Sequence, residues 1–306
     1  MTEILLANVF RAITAGHFAL RLDTTTASEI TLLASSNGGN VYADVTSVFE
    51  AGLYYARKHI GSPKYEDFTI PIGASASTGL FDWVADSWGA TPEARDGAVL
   101  GVDMNFNIKS EVGFSGALVV ETQIPALDAS SKEAGHLTVR LQPEFIDVRS
   151  PAGKLSLIQA KQKLWRTSNF RLQIEGLDCT KVSRIDTFTV SRKVKVVTSG
   201  SGEVSLIPDK IEFPNLRITL SKSSALTWVD WHETFVVNGD NDDSFEKSGT
   251  ISFLSNDLKS ELSRIDLHHL GIMRLASTLT DGISAVARLT ADLYCEEMVL
   301  GPGVNP

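Results

Sequence analysis

One stretch of this sequence, a strand followed by a turn and a helix, occurs twice. Residues 66–89 read EDFTIPIGASASTGLFDWVADSWG, and residues 214–239 read PNLRITLSKSSALTWVDWHETFVVNG. Alternate apolar residues predict a strand with one buried face, and the Ser/Thr-rich turn can cap the helix that follows. Matched residues lie 148 positions apart: Phe68 and Leu216, Ile70 and Ile218, Ile72 and Leu220, Trp83 and Trp231. The duplication predicts two similar folding units.

Further strands surround this unit in the same order in both halves. HFALRLD in the first half matches NFRLQIEG in the second, and RDGAVLGV matches KSGTISFL, with Gly97 and Gly249 separated by 152 positions. The strands FSGALVVETQI and SRIDLHHLGIMRLA follow. Each half then ends in one long strand, from Leu137 and from Ala285. The alternation of polar and apolar residues in these closing strands predicts half-exposed strands of an antiparallel sandwich or barrel.

Several residues of these strands and helices are candidates for structural or interface roles. An offset of 148 positions matches Arg140 with Arg288, and both are predicted on polar strand faces, either paired with carboxylates across a subunit contact or solvated. Val139, Leu141 and Phe145 are predicted to share the apolar face of the first closing strand. Trp83 and Trp231 are predicted as aromatic anchors of the core or of a subunit contact, and Ile218 and Leu220 as buried strand residues.

One connecting segment differs between the halves. Residues 45–61, VTSVFEAGLYYARKHIG, predict a helix, whereas residues 183–197, SRIDTFTVSRKVKVV, predict one or two strands followed by a hairpin turn at 199–203. Divergence of this kind between matched strands is typical of loops that tolerate insertion.

The expected fold is mainly β with flanking helices (α+β), in two tandem domains. The chain has 306 residues, of which 43% are hydrophobic and 21% charged, a composition typical of globular proteins and long enough for two domains. We place the first domain at residues 1–150, a linker at 151–168 and the second domain at 169–306. The linker begins with the turn residues SPAG.

Composition disfavours several partners and compartments. The formal net charge is −9, with acids and bases interleaved, which disfavours stable nucleic-acid binding. No apolar run is long enough to span a membrane. Residues 5–13 predict an amphipathic helix instead of a signal peptide, so the chain is expected to remain in the cytoplasm or to leave it by another route. Cys179 and Cys295 are expected to be buried thiols without a disulfide framework.

The sequence predicts no catalytic, metal or cofactor site, and the chain is not expected to be an enzyme. His268 and His269 are adjacent in a predicted strand, so their side chains point to opposite faces. His232–Glu233 lacks the second histidine of a zinc-protease motif. The acidic segment 238–243 lacks the ligand pattern of an EF-hand and is expected to be a solvated loop.

The second half resembles the tube proteins of contractile phage tails and of related injection systems. The resemblance covers residues 169–300 and depends on FRLQIEGL, LRITLSKSSALTWVDW, GTISFL and the closing ADLYCEEMVL. The first half resembles this family through DFTIPIG, ASTGLFDW and DGAVLGV, although Pro71 interrupts its strand motif. Proteins of this family have one such domain, so the tandem copy is a departure.

The resemblance implies a small β-barrel or sandwich flanked by a helix and assembled into rings around a lumen. Because the family's tubes are six-fold, a chain with two domains is expected to form a trimer with pseudo-six-fold symmetry or a hexamer with an extra layer. The implied partners are other copies of this chain and tail tube, baseplate or sheath proteins. The implied location is the virion tail or a phage-tail-like particle, assembled in the bacterial cytoplasm.

The alternative is a non-catalytic β-sandwich module that binds a carbohydrate or another small molecule. It predicts a monomer with an exposed aromatic platform, for which Trp88 and Trp228 are the candidates.

Overall fold

A computed structural model describes residues 16–23, 28–73, 78–155, 165–199, 204–278 and 287–303. The helix predicted at residues 5–13 and half of the predicted linker, residues 156–164, lie outside these ranges. No helix of the described part of the chain has the length and apolar character needed to cross a membrane.

Eleven strands and one helix are described in the first half. These are β1 (His17–Asp23), β2 (Ser28–Leu33), β3 (Asn37–Gly38), β4 (Val41–Val48), β5 (Arg57–Tyr65), β6 (Phe68–Gly73), α1 (Thr78–Asp86), β7 (Arg95–Val102), β8 (Ile108–Ile124), β9 (Leu127–Asp128), β10 (His136–Gln142) and β11 (Phe145–Arg149).

The second half repeats this order with fewer interruptions. Its elements are β12 (Phe170–Ile174), β13 (Val182–Ile185), β14 (Phe188–Thr198), β15 (Val204–Glu212), β16 (Leu216–Ser221), a 3₁₀ turn (Lys222–Ser224), α2 (Leu226–His232), a π-helical turn (Glu233–Val237), β17 (Lys247–Leu254), β18 (Glu261–Thr278) and β19 (Arg288–Pro302).

The predicted strand–turn–helix unit is present in both halves, as β6–α1 and as β16–α2. Phe68, Ile70 and Ile72 alternate with half-exposed residues along β6, which continues through Pro71. Leu216, Ile218 and Leu220 do the same along β16. The prediction of a mainly β fold is confirmed.

The matched glycines permit close approach of two strands. A Cβ atom at Gly97 would lie 2.3 Å from the Arg21 carbonyl oxygen, and one at Gly249 would lie 2.7 Å from that of Gln173. These distances are far inside van der Waals contact, so β7 and β17 can pair with β1 and β12 at these points only without a side chain.

The helix predicted at residues 45–61 is wrong, because this segment forms the hairpin β4–β5. Val45 pairs with Ile60 and Val48 with Arg57. The apolar residues have helix-like spacing, but they are not packed on the core: Val45 is 59% exposed and Phe49 is 81% exposed. Without a surface to bury a helical stripe, the spacing carries no preference for a helix, and β-branched residues favour the strand.

Two expectations for the closing strand of the first half are also wrong. The single strand is interrupted at Pro143, between β10 and β11, and Phe145 is 49% exposed instead of sharing the buried face of Leu141. The two arginines also differ in register, because Arg140 lies opposite Thr69 in β6, whereas Arg288 lies opposite Ser221 in β16. The residue of β19 that corresponds to Arg140 is therefore Asp292, which lies opposite Arg217.

Two large antiparallel sheets contain most strands, and both sheets include strands from each half. The order β2-β1-β7-β8-β10-β6-β3 defines the first sheet, to which β14 is added by pairing with β8. The second sheet has the order β12-β17-β18-β19-β16-β13-β9. One hydrophobic cluster contains buried residues from both halves, including Phe114 and Phe253. The halves are thus joined by backbone pairing and by a shared core.

Candidate functional site

The joint between the halves is formed where β14 extends the sheet of the first half along an edge of β8. Phe188 lies opposite Ile124, and Val190 lies opposite Thr122. All four residues are buried. Main-chain pairing between two strand edges is the mode by which extended segments add to open sheets, and the buried alternate side chains determine its register.

A buried arginine strengthens the joint. Arg192 of β14 is 9% exposed, and its guanidinium group donates to the Ser87 carbonyl oxygen at 3.0 and 3.2 Å, to that of Asp209 at 2.8 Å, and to that of Gly89. Ser87 and Gly89 directly follow α1, where the helix leaves carbonyl groups without partners and the helix dipole attracts a cation. Burial lowers the pKa of Arg192, but a guanidinium group remains charged at any physiological pH.

Aromatic packing covers the same end of α1. The rings of Trp88 and Phe213 meet edge to face with centroids 6.5 Å apart, and Trp88 is 6% exposed. Phe213 directly follows β15, so both strands of the β14–β15 hairpin contribute to the joint.

A second, shorter pairing also joins the halves, and here a strand of the first half is added to the sheet of the second. Residues of β9 pair with β13, with Leu127 opposite Ile185 and Asp128 opposite Arg184. The Arg184 guanidinium group lies 3.2 Å from the Asp128 carboxylate, and the Ala129 amide donates to the Ser183 carbonyl oxygen at 2.9 Å. Each half therefore supplies one strand to the sheet of the other.

Two further strand edges have no partner strand among the described residues and correspond to the two sides of this joint. Residues 261–270 of β18 pair with β17, but residues 271–278 have no described strand on that side, and only β19 pairs with them. In the first half, β4 pairs with β5 and with no other described strand, in a separate two-stranded sheet. Val41, Tyr42 and Ile60 of this hairpin are 48%, 51% and 79% exposed. Exposed edges and apolar hairpins of this kind are templates for pairing with another chain.

The residues singled out from the sequence lie mostly in the core. Trp83 is fully buried, and its indole N–H donates to the Glu93 carbonyl oxygen at 2.8 Å. Trp231 is 6% exposed and donates to the Phe245 carbonyl oxygen at 3.2 Å. Ile218 and Leu220 are fully buried in β16.

The two predicted arginines occupy different surroundings. Arg140 forms ion pairs with Asp67 and Glu121 on the face of the first sheet. Arg288 is exposed at the start of β19. Sequence reasoning missed Arg192 and the pairing of residues 188–191. The one signal that could have indicated them is Phe188 and Val190 alternating in the segment where the halves differ.

The aromatic platform required by the ligand-binding alternative is absent at both proposed residues. Trp228 is fully buried, with its indole N–H bonded to the Asp178 carbonyl oxygen at 3.0 Å, and Trp88 is covered by Phe213. Neither ring has a free face on which a sugar could stack.

The two histidines of β18 are separated by a local bulge. His268 pairs with Glu297, whereas His269 has a φ angle of 55° and is absent from the ladder. Its Nδ1 lies 2.8 Å from one Glu246 oxygen, and the Tyr294 hydroxyl donates to the other at 2.6 Å. Glu296 brings a third ligand-type atom within 4.8 Å. Because both Glu246 oxygens already have partners, this cluster is explained by its own hydrogen bonds.

The hydrogen bond to Glu246 raises the pKa of His269 above its usual value. We expect an NMR titration of the imidazole resonances to give a midpoint above about 6.5, and Glu246→Gln to lower it. Since the folded-state pKa is raised, the stabilisation is present below the unfolded pKa and is lost as pH rises through the folded pKa. An unchanged midpoint in Glu246→Gln would contradict this assignment, and His269→Gln identifies the resonance by its loss from the spectrum.

Both thiols are chemically quiet. Burial raises the pKa of Cys179 and that of Cys295 to about 11, so the thiolate that reacts is scarce at neutral pH.

Comparisons with known proteins give structural similarities only. No protein-family model matches the chain, and no curated protein matches it. Similar solved chains come from the sheath–tube complex of the extracellular contractile injection system PVC (16% identity, TM-score 0.33), covering 44% of this chain and 88% of that chain, and from Hcp1 of Flavobacterium johnsoniae (13% identity, TM-score 0.27), covering 45% and 98%. A third comes from the tube-terminating cap of the anti-feeding prophage (12% identity, TM-score 0.32), covering 50% of this chain and 96% of that chain. These scores are low, and the joint described above is defined by its own strand pairing.

Proposed function

We propose that this chain is a non-catalytic structural component of a contractile phage tail or a phage-tail-like injection particle. It is built from two tail-tube-like domains, residues 1–150 and 169–306, and assembles into closed rings as a tube subunit or as a hub or adaptor between tube and baseplate. The observation that carries this proposal is the joint: β14 of one half extends the sheet of the other, while the corresponding edges, on β4 and on residues 271–278 of β18, have no second partner strand among the described residues.

Repetition of one head-to-tail contact produces a ring when the rotation closes, and an open filament when it does not. Within one chain, the contact already joins two similar domains side by side, because a strand added to a sheet extends it laterally. This geometry favours the trimer with pseudo-six-fold symmetry over the two-layered hexamer. Three chains would supply the six domain positions implied by the resemblance to contractile-tail tube proteins.

The remaining partners follow from the proposed position in a particle. Rings stack axially, so the faces of the ring would contact other tube, baseplate or sheath proteins. The net charge of −9 disfavours tight binding of nucleic acid, which suits a component around a channel through which cargo must pass. Assembly would take place in the bacterial cytoplasm before the particle is complete.

The oligomeric state of the purified chain tests this proposal. We expect native mass spectrometry to show three copies, and negative-stain images to show a hole surrounded by six similar densities. Six copies in two layers would support assembly into a ring but contradict the trimer. A monomer at high concentration, with no ring formed on isolated tube or baseplate components, would overturn the proposal.

A further inference from the structure

We propose that residues 39–42 of one copy add as a strand to residues 274–277 of β18 in the next copy, with Val41 opposite Leu275. This inference rests on the proposed ring and names the two surfaces that close it. The partner is a second copy of this chain, because each surface corresponds, residue by residue, to one side of the joint within the chain.

The choice of Leu275 on β18 follows from comparing the strand register of the two halves. In the first half Phe68 lies opposite Leu141 and Ile70 opposite Val139. In the second half the matched residues Leu216 and Ile218 lie opposite Leu293 and Ala291. On the other side of these closing strands, Val139 pairs with Thr122 and Ala291 pairs with Leu275. Leu275 therefore occupies in β18 the place that Thr122 occupies in β8.

The choice of Val41 on the β4–β5 hairpin follows from the same comparison with the β14–β15 hairpin. Ser191 pairs with Glu212, which lies four positions before Leu216, and Tyr42 pairs with Lys64, which lies four positions before Phe68. Tyr42 is thus equivalent to Ser191, and Val41 is equivalent to Val190. Since Val190 lies opposite Thr122 in the joint, the equivalent contact between copies places Val41 opposite Leu275.

Residues that are buried in the joint have exposed equivalents on the surfaces of the proposed contact, as the proposal requires. Val190 is 2% exposed in the joint, whereas its equivalent Val41 is 48% exposed. Trp88 lies five positions after Trp83 and is 6% exposed, whereas Val236 lies five positions after Trp231 and is 43% exposed. The apolar surface that is buried in the joint is therefore exposed at the equivalent positions of β4 and of the π-helical turn.

The position of Phe213 is repeated as well. Phe213 lies three positions before Leu216 and packs on Trp88. Tyr65 lies three positions before Phe68, so the proposed contact brings Tyr65 of one copy against Val236 of the next. A tyrosine ring packed on a valine keeps the contact apolar but buries less area than the Phe213–Trp88 pair of the joint.

One feature of the joint is not repeated. Arg192 directly follows Ser191, and the residue that directly follows Tyr42 is Ala43. The contact between copies therefore lacks the buried guanidinium group that binds the end of α1. We expect the contact between copies to be weaker than the joint and to dissociate without unfolding the chain.

A disulfide cross-link tests the register. Residues directly opposite in an antiparallel pair have Cβ atoms about 5 Å apart, which a disulfide can bridge. We expect the double variant Val41→Cys/Leu275→Cys to form a covalent ladder under mild oxidation, and a mixture of the two single variants to form covalent dimers only. Each single variant alone should stay uncross-linked at the same oxidant concentration, because Cys179 and Cys295 are protonated.

A misregistered pair serves as the matched control. Val45 is also exposed in β4, but four residues of strand place it about 13 Å further along, so Val45→Cys/Leu275→Cys should not cross-link. Hydrogen exchange on the unmodified chain gives an independent readout, in which those amides of residues 274–277 that point away from β19 become protected on assembly.

The outcomes separate this inference from the proposed function. Rings without the 41–275 cross-link, or with equal cross-linking of the control pair, would overturn the register and leave the ring proposal standing. Absence of both rings and cross-links would overturn both. Cross-linked dimers from the mixed single variants, together with protection of residues 274–277, would support the inference.

Discussion

Replacement of Trp231 by alanine is expected to lower the free energy of unfolding by about 3–5 kcal/mol, the range for loss of a buried aromatic ring. The ring is 6% exposed, packs against Phe235 with centroids 5.9 Å apart, and lies under the Lys247 ammonium group at 5.5 Å. The substitution removes this packing and leaves the Phe245 carbonyl oxygen without its indole donor. Chemical denaturation of the purified variant measures the change.

The neighbouring helix provides a control for this prediction. Leu226 begins α2 but is 73% exposed, so Leu226→Ala is expected to change stability by less than about 0.5 kcal/mol. If Trp231→Ala kept its unfolding midpoint while rings disappeared, Trp231 would serve the contact between copies instead of the core. An unchanged midpoint with intact rings would contradict both roles.

Replacement of Arg192 by alanine is expected to destabilise the chain by about 2–4 kcal/mol. Hydrogen bonds from a charged donor contribute about 1.5–3 kcal/mol, and buried acceptors left without partners add a desolvation cost. Arg192 donates to carbonyl groups of both halves, so its loss weakens the joint as well as β14. We expect differential scanning calorimetry to show a lower and broader transition, as the halves begin to unfold separately.

A second cation of the same strand provides the comparison. Lys195 forms an ion pair with Asp209 at 3.0 Å but is 68% exposed. Exposed ion pairs contribute about 0–1 kcal/mol, so Lys195→Ala should change the transition little. A variant Arg192→Ala as stable as Lys195→Ala would show that the buried guanidinium group is not what holds the halves together.

Local patterns were sufficient to predict much of the fold. The alternation around Ile70 and Ile218 and the aromatic anchors Trp83 and Trp231 identified both strand–turn–helix units, because burial on one face repeats with the period of the element. The matched glycines Gly97 and Gly249 marked strands that approach too closely for a side chain. Local patterns failed at residues 45–61, where exposed valines and aromatics imitate a helical stripe, and at Pro143, which divides one predicted strand into two.

By itself, the sequence determined that this chain contains two copies of one strand–turn–helix pattern, is mainly β and has no recognisable catalytic motif, since these properties depend on residue types and their spacing. Only the tertiary structure decided that β14 crosses to β8, that Arg192 binds the end of α1, and that Val41 and Leu275 lie at open edges. Strand partners are chosen by backbone hydrogen bonds, which are common to nearly all residues, and by contacts between residues far apart in the chain. An unpaired edge therefore has no signature in the sequence and becomes visible only when every other strand has found its partner.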